Sequence, residues 1–385
     1  MKRSRILQKL GVEPSTSESF QFFIASLSTI LRYCRDEDLE SLKTWDAPVL
    51  PSLCKLSGDE TKFIESELPK VKSSIHECQV QVQKLVPQEE RKRFAAYYTI
   101  DQGIGFMASI VYEYLKNYKR RRIVLADPFL GSARTLTVAI RKIGADKLRK
   151  VWGIEPLPLP ALIAYASLLQ AVRGKKDTIT VITGDAFREV PRAFSPFTHS
   201  ELPKADVILT NPPFTRWKCL ERGYRDYLLE VVSGLGYGEY ITRREASLQT
   251  LAMFLADYIL TNGGLIGSVL PASTFYTIYG RGYKSLLRKN YETLAVVESA
   301  SRPSFSEDSG FKEIIIAAIK GNRGCGPTLF VGLDNNAGEI AKALMNRRRL
   351  GYRRNSFDIR CLPRFLDINW LALFGKSELR DILIK

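Results

Sequence analysis

Apolar residues recur at helical intervals near the start of the chain. Ser15 and Glu18 have the spacing of a capping box, and Phe22, Phe23, Leu27, Ile30 and Leu31 follow on one helical face. The first ninety or so residues therefore read as helical, with Pro87 suited to open a further helix. From Arg122 onward the pattern changes to short runs rich in valine and isoleucine, each ending at a turn or an acidic residue. Strands are expected at 123–127, 151–155, 178–185, 206–210, 264–270, 294–298 and 314–320. Seven such runs separated by helical segments predict a parallel α/β sheet with crossover helices, doubly wound. Division into a helical region (1–90), an α/β domain (91–320) and a carboxyl-terminal extension (321–385) follows.

Composition narrows the chemistry. The chain has 385 residues, and lysine plus arginine exceed aspartate plus glutamate by 57 to 41, a net charge of +16, so a polyanion is the expected partner. The six cysteines, Cys34, Cys54, Cys78, Cys219, Cys325 and Cys361, form no CxxC pair, and no secretory signal precedes them. Reduced thiols in a cytoplasmic protein are expected. Only His76 and His199 are present, which leaves little material for a zinc site or a histidine-based hydrolase, so no metal is expected. Apolar runs stop well short of the ~20 residues of a membrane span. No membrane association is expected.

In doubly wound sheets ligands bind beyond the carboxyl ends of the strands, so the residues just after each run carry the interest. The first run leads into Asp127, Pro128, Phe129, Leu130, Gly131, Ser132 and Ala133, a glycine turn that hands over to a helix near Arg134. Glu155 ends the second, 28 residues after Asp127, where a carboxylate can accept hydrogen bonds from both ribose hydroxyls. The third ends in Gly184 and Asp185, and an acid there can accept from an adenine amino group. Three acids at three successive strand ends describe an adenosine pocket without saying whether NAD, ATP or S-adenosylmethionine fills it.

The fourth run separates these. It passes directly into Asn211, Pro212, Pro213 and Phe214, and Asn-Pro-Pro-aromatic arises by chance in a chain this long on the order of once in 300 sequences. The prolines fix the backbone, so the asparagine side-chain oxygen and a neighbouring carbonyl can both accept from one planar NH2 group, while Phe214 offers a ring for stacking. Those are the needs of amine methylation on a base flipped out of its helix.

With these residues in place the sequence resembles the gamma-type N6-adenine DNA methyltransferases, which include the modification subunits of type I restriction systems. The resemblance covers roughly residues 91–320. Phe94 to Thr99 resembles the family's Tyr-Thr-Pro segment, implying that Tyr98 and Thr99 pack on the methionine part of the cofactor. Asp127, Pro128 and Gly131 match the glycine loop, Glu155 the ribose acid, Asp185 the adenine acid, Asn211 to Phe214 the catalytic tetrapeptide, and Gly263, Gly264, Leu270 and Pro271 the fifth strand. The implied fold is Rossmann-like, of class I, with S-adenosylmethionine as cofactor and N6 of a flipped adenine in double-stranded DNA as target, in a restriction-modification or related defence system. Two departures stand out: Ile100 replaces the usual proline, and Ala133 stands where the loop's second glycine is expected, a substitution that strains the backbone only if φ there is positive.

After Phe214, Thr215, Arg216, Trp217 and Lys218 lead to Arg222, Tyr224, Arg225 and Tyr227, interleaving cations with aromatics as contact with phosphates and bases requires. Arg347, Arg348, Arg349, Arg353, Arg354, Arg360 and Arg364 add a basic tail. About 65 residues follow Lys320, fewer than the ~100 of an independent recognition domain, so a separate specificity subunit or a further carboxyl-terminal part is expected to choose the site. Other readings of the tetrapeptide are methylation of a ribosomal RNA base or a protein glutamine, and a non-catalytic DNA-binding scaffold.

Overall fold

The computed structural model describes residues 2–13, 15–45, 53–85, 99–118, 122–195, 197, 202–215, 217–241, 246–299, 301, 303–306, 312–321, 328–333, 336–345 and 359–362. Pro87, the segment 94–98 with Tyr98, Arg216, and arginines 347, 348, 349, 353, 354 and 364 lie outside them. The chain divides into two compact units, Met1–Ala96 with Arg120–Pro203, and Tyr97–Lys119 with Lys204–Lys385.

In the first unit three parallel strands lie in the order β3-β2-β1: β1 (Ile123–Asp127), β2 (Leu148–Glu155) and β3 (Ile179–Thr183). All three were expected, and Asp127 and Glu155 end theirs as read from the sequence. The helix Pro158–Ala171 that follows β2 is apolar almost all round, because it is covered on both sides. One side meets β2 and β3, and the other meets helices Ser17–Tyr33 and Ile75–Leu85. The described amino-terminal helices thus bury their apolar faces on a crossover helix of the sheet.

One local expectation needs correction. Thr16, not Ser15, caps the helix Ser17–Tyr33, its side chain accepting from Ser19 N at 3.0 Å. Ser15 has spent its hydroxyl on the carbonyl of Val12 at 2.8 Å, so a residue with apparent capping-box spacing lies one place outside the cap.

The second unit orders its strands β4-β5-β7-β6-β8-β9: β4 (Ala205–Thr210), β5 (Leu260–Pro271), β6 (Tyr291–Ser299), β7 (Glu313–Lys320), β8 (Thr328–Leu333) and β9 (Ile359–Leu362). β4 and β5 run parallel, with Thr210 opposite Ser268. β7 runs antiparallel to both β5 and β6, so the sheet is mixed rather than wholly parallel. An apolar run is legible as a strand from its residues, but its direction is set by partners that a single run does not reveal. Among the described residues, β8 and β9 take the strand count from the expected seven to nine and carry the sheet into the region read as a basic extension. The first of these is a short apolar run, Thr328–Leu333, outside the seven expected strands.

Helix Asp101–Asn117 belongs to this second unit. Tyr114 donates to Gly263 O at 2.5 Å, and Tyr118 donates to Asp206 Oδ1 at 2.9 Å, fastening the helix end beside β4 and β5. Deeper in the same unit lies a charged knot. Asp257, 3% exposed, accepts hydrogen bonds from the hydroxyls of Tyr237 and Tyr291 and pairs with Lys320 Nζ at 3.2 Å. Lys320 also donates to Asp257 O and Leu260 O, and burial holds its ammonium below the usual lysine range. Four segments meet there, so the knot fixes how the stretch before helix Leu248–Ile259 joins the sheet.

Removing one member of a buried pair leaves the other charge uncompensated, at a cost of about 3–5 kcal/mol. Asp257→Ala is accordingly expected to lower unfolding free energy by roughly that amount in urea titrations. Tyr237→Phe removes one buried hydrogen bond to a carboxylate and is expected to cost about 1.5–3 kcal/mol. An Asp257→Ala protein as stable as the parent would show that the knot holds nothing.

Candidate cofactor pocket and methyl-acceptor site

The pocket residues of the first unit are gathered by one turn. After β1, Asp127 Oδ1 accepts from Phe129 N at 2.9 Å, and Leu130 N donates to Ile154 O at 2.9 Å, drawing the loop onto β2. Gly153 makes that approach possible: a Cβ there would stand 2.7 Å from a methyl of Leu130 and 2.8 Å from Asp127 O. The chain then turns through two left-handed residues, Gly131 at φ +55° and Ala133 at φ +61°. Ala133 thus adopts the conformation in which its methyl is a strain.

Glu155 ends β2 in contact with this turn. Its Oε2 accepts from Gly131 N and its Oε1 from Leu157 N, both at 3.0 Å. Burial pushes the carboxyl up to about 7, the two amide donors pull it down, and Asp127 adds to the rise. A carboxylate has about four acceptor positions, so each oxygen of Glu155 retains capacity for one further donor. Two hydroxyls on adjacent carbons match that requirement. Asp185 begins helix Ala186–Ala193, its Oδ1 accepting from Phe187 N at 2.9 Å. Acids, left-handed turn and glycine contact therefore stand in one unit, and the residue types fit an adenosine-bearing cofactor.

Sequence reasoning missed the brace beneath the turn. Gln79, buried in helix Ile75–Leu85, donates from Nε2 to Ser132 O at 2.8 Å and to Thr137 Oγ1 at 3.2 Å. Ser132 Oγ returns a hydrogen bond to Gln79 O at 3.0 Å. A glutamine on a helix 53 residues away in sequence carries no local signal of such a role.

In the second unit, Asn211 follows the wholly buried β4. Its Nδ2 donates to Thr99 Oγ1 and to Ser306 Oγ, each at 3.1 Å. With the NH2 end committed to two hydroxyls, the amide's orientation is set and Oδ1 becomes its acceptor end. Thr99 and Ser306 are joined by an antiparallel bridge, and Ile100 N donates to Phe305 O at 2.6 Å. Ser306 is held in turn: its N–H donates to Ser304 Oγ, and Phe305 N donates to the buried Glu313 at 3.0 Å. Gly103 lets its helix come close, since a Cβ would lie 3.0 Å from Thr99 Cγ2 and 3.1 Å from the Phe305 ring.

Thr99 is thus placed against the asparagine amide, a role that the resemblance did not suggest, and Ser306 had no signal in the sequence. Pro212 is buried, Pro213 is half-buried, and Phe214 is only 7% exposed, so its ring is packed in rather than presented. Stacking a base on it requires the ring or its cover to move. Trp217 is half-buried and Lys218 exposed on the short turn Trp217–Cys219; helix Arg222–Val232 follows, with the Tyr224 and Tyr227 rings stacked 6.3 Å apart. Among the described residues no helix is long and apolar enough to cross a membrane, and no group of His, Cys, Asp and Glu is arranged to hold a metal.

Comparison with solved structures places the fold. The chain is similar to a protein from Listeria monocytogenes described as a class I S-adenosylmethionine-dependent methyltransferase, at a TM-score of 0.53 and 15% identity over 89% of this chain and 99% of that one. The fold is that of the class I S-adenosylmethionine-dependent methyltransferases. A methyltransferase subunit of a type I restriction-modification system from Streptococcus thermophilus gives 0.52 and 15% over 86% and 69% of the two chains. The type IIG restriction endonuclease BpuSI gives 0.66 and 12% over 100% of this chain, which spans 45% of the BpuSI chain. No protein-family model matches, and no curated protein matches in sequence.

Ala133 gives a direct measurement of the strain in the loop. A left-handed non-glycine residue costs on the order of 1–3 kcal/mol, while the buried methyl contributes about 0.8 kcal/mol. Ala133→Gly is therefore expected to be at least as stable as the parent in thermal melts, and Ala133→Val to be clearly less stable. A glycine variant that melts well below the parent would show that the methyl's packing outweighs its backbone.

Proposed function

We propose that this chain transfers a methyl group from S-adenosylmethionine to the N6 amino group of an adenine flipped out of double-stranded DNA, in a restriction-modification or related defence system. The observation that carries the reading is the Asn211 amide, turned by Thr99 and Ser306 at the end of β4 and followed by Pro212, Pro213 and Phe214. S-adenosylmethionine, when bound, supplies a methyl group on a positively charged sulfur. Asp127, Gly131, Glu155 and Asp185 would hold it, Glu155 taking the two ribose hydroxyls and Asp185 the adenine amino group.

The chain's own contribution to the reaction is orientation. Oδ1 of Asn211 accepts one N–H of the target amine, and the carbonyl of Pro212 accepts the other. Two acceptors on its hydrogens favour a pyramidal nitrogen, whose lone pair then projects out of the ring plane. Phe214 stacks on the extruded base. No strong base is required, because the nitrogen becomes acidic once it carries the new substituent and its extra proton passes to solvent.

The net charge of +16 and the cation-bearing segment Lys218 to Arg225 support a nucleic-acid substrate over a protein one. The Streptococcus and BpuSI structures, whose names place them in restriction systems, support the biological setting. A specificity subunit is the corresponding partner, since phosphate contacts position a protein without reading sequence.

Asn211→Ala is expected to abolish transfer of labelled methyl to plasmid DNA while leaving cofactor affinity within about twofold, a difference of roughly 0.4 kcal/mol. Ribosomal RNA and total protein assayed in parallel should take no label. Label on either one instead of DNA would sink the substrate assignment, and an equal loss of cofactor affinity in the variant would give Asn211 a structural role.

Because ribose hydroxyls donate to the ionised carboxylate, cofactor affinity should rise with pH through about 7, where Glu155 loses its proton. On the acid side the slope approaches roughly tenfold per pH unit. Glu155→Gln should bind more weakly and without that pH dependence. Isothermal titration across the range checks both, and a parent profile flat between acid and neutral pH would remove Glu155 from the ribose site.

A further inference from the structure

Five large apolar side chains are exposed among the described residues, and three of them lie within four positions: Tyr276 (38%), Ile278 (46%) and Tyr279 (42%). Their place in the fold is specific. β4 and β5 are parallel, with Thr210 opposite Ser268, so both strands leave the sheet on the same edge of the second unit. Neighbouring strands are about 5 Å apart. One exit leads to Asn211 and Phe214; the other leads through Pro271 to this apolar cluster.

The cluster is built rather than loose. Ala272 N donates to Lys312 O at 2.8 Å, while Thr274 and Phe275 are buried beneath it. Gly280 and Gly282 allow tight turns: a Cβ at Gly280 would lie 1.5 Å from Thr274 O, and one at Gly282 would lie 2.0 Å from Tyr240 O. The chain then enters helix Arg281–Asn290, which carries Arg281, Lys284, Arg288 and Lys289 and no acid. Arg281 and Arg288 are exposed. Aromatic and branched apolar side chains backed by cations at a strand-end edge match a partner that presents flat apolar faces bordered by negative charge.

We infer that Tyr276, Ile278 and Tyr279 form an apolar wedge that presses on the base step opened when the target nucleotide leaves the duplex, with Arg281 neutralising an adjacent phosphate. This rests on the reading of the site as a DNA methyltransferase. Apolar side chains set against unstacked steps hold DNA open, and the unstacking is repaid by the contacts made with the bases. The wedge also complements Phe214, whose ring is packed in: the exposed rings meet the duplex first, and Phe214 receives the base once it is out.

The test uses the full chain and a short labelled duplex of mixed sequence, with binding followed by anisotropy over a range of salt. Replacing all three residues (Tyr276→Ser, Ile278→Ser, Tyr279→Ser) is expected to weaken duplex binding by roughly tenfold or more at fixed salt, since each lost ring forfeits stacking. The slope of log affinity against log salt should stay unchanged, because no phosphate contact is lost. Arg281→Gln should instead flatten that slope by about one phosphate contact. Tyr279→Phe should keep parental affinity, and the triple variant should still melt in one cooperative transition well above the assay temperature, which separates loss of binding from loss of folding. Unchanged duplex affinity in the triple variant overturns the inference and assigns the patch to a polypeptide partner, as does a wild-type chain that binds no duplex. Methyl transfer scored beside binding separates the two readings. Transfer with an unaffected triple variant sinks only the wedge; a wedge-dependent duplex affinity without transfer to any DNA sinks only the methyltransferase.

Discussion

The turn between β1 and helix Arg134–Ile143 is the constraint around which the first unit is arranged. A chain leaving a buried strand must reverse within a few residues, and here it does so through left-handed Gly131 and Ala133. That conformation aims Gly131 N at Glu155, and the carboxylate answers by accepting it. Loop and acid therefore define one another. Burial raises the proton affinity of Glu155, yet the two amide donors keep an anion accessible near neutrality. A site poised this way would suit hydroxyl donors without needing a fixed cation, as the proposed cofactor with its positive sulfur requires.

The strain at Ala133 needs support, and the helical region provides it. Gln79 reaches across to both the carbonyl of Ser132 and the hydroxyl of Thr137, and Ser132 reaches back. All of these groups are buried, so each hydrogen bond forms where an unmet partner would be expensive. The amino-terminal helices thus do more than cover an apolar face of helix Pro158–Ala171. They brace the turn from below, and alanine is tolerable where glycine would be expected because neighbouring residues on both sides of it are held.

What the sequence revealed and what it hid divide along physical lines. β1 and the end of β2 were legible because valine and isoleucine runs stop sharply at an acid. Asn211 to Phe214 was legible because proline pairs are rare and fix the backbone that carries them. Ser306, Gln79 and Gly153 were not. Each acts on a residue distant in sequence or across a strand pair, and serine, glutamine and glycine are common enough that no local pattern marks them. The direction of β7 was hidden for the same reason, because antiparallel pairing with β5 and β6 is decided by neighbours. The two strands beyond Lys320 are short, six and four residues, and a run that brief carries little periodicity to mark it.

The second unit separates two demands that the proposed reaction would place on it. Positioning the amine calls for rigidity, and Asn211 has it: Thr99 and Ser306 hold its NH2 end, Ser304 and Glu313 hold the Ser306 segment, and Gly103 brings the helix up behind them. Capturing the base calls for exposed apolar surface, which Phe214 at 7% exposure does not offer. Had the ring been open to water, the site would have carried a permanent apolar hole beside the asparagine. On the proposed reading, placing the exposed side chains one strand over, after β5, would keep the acceptor geometry sealed until a duplex arrives. The parallel pairing of β4 with β5 is what makes that division possible, because it brings both exits to the same edge.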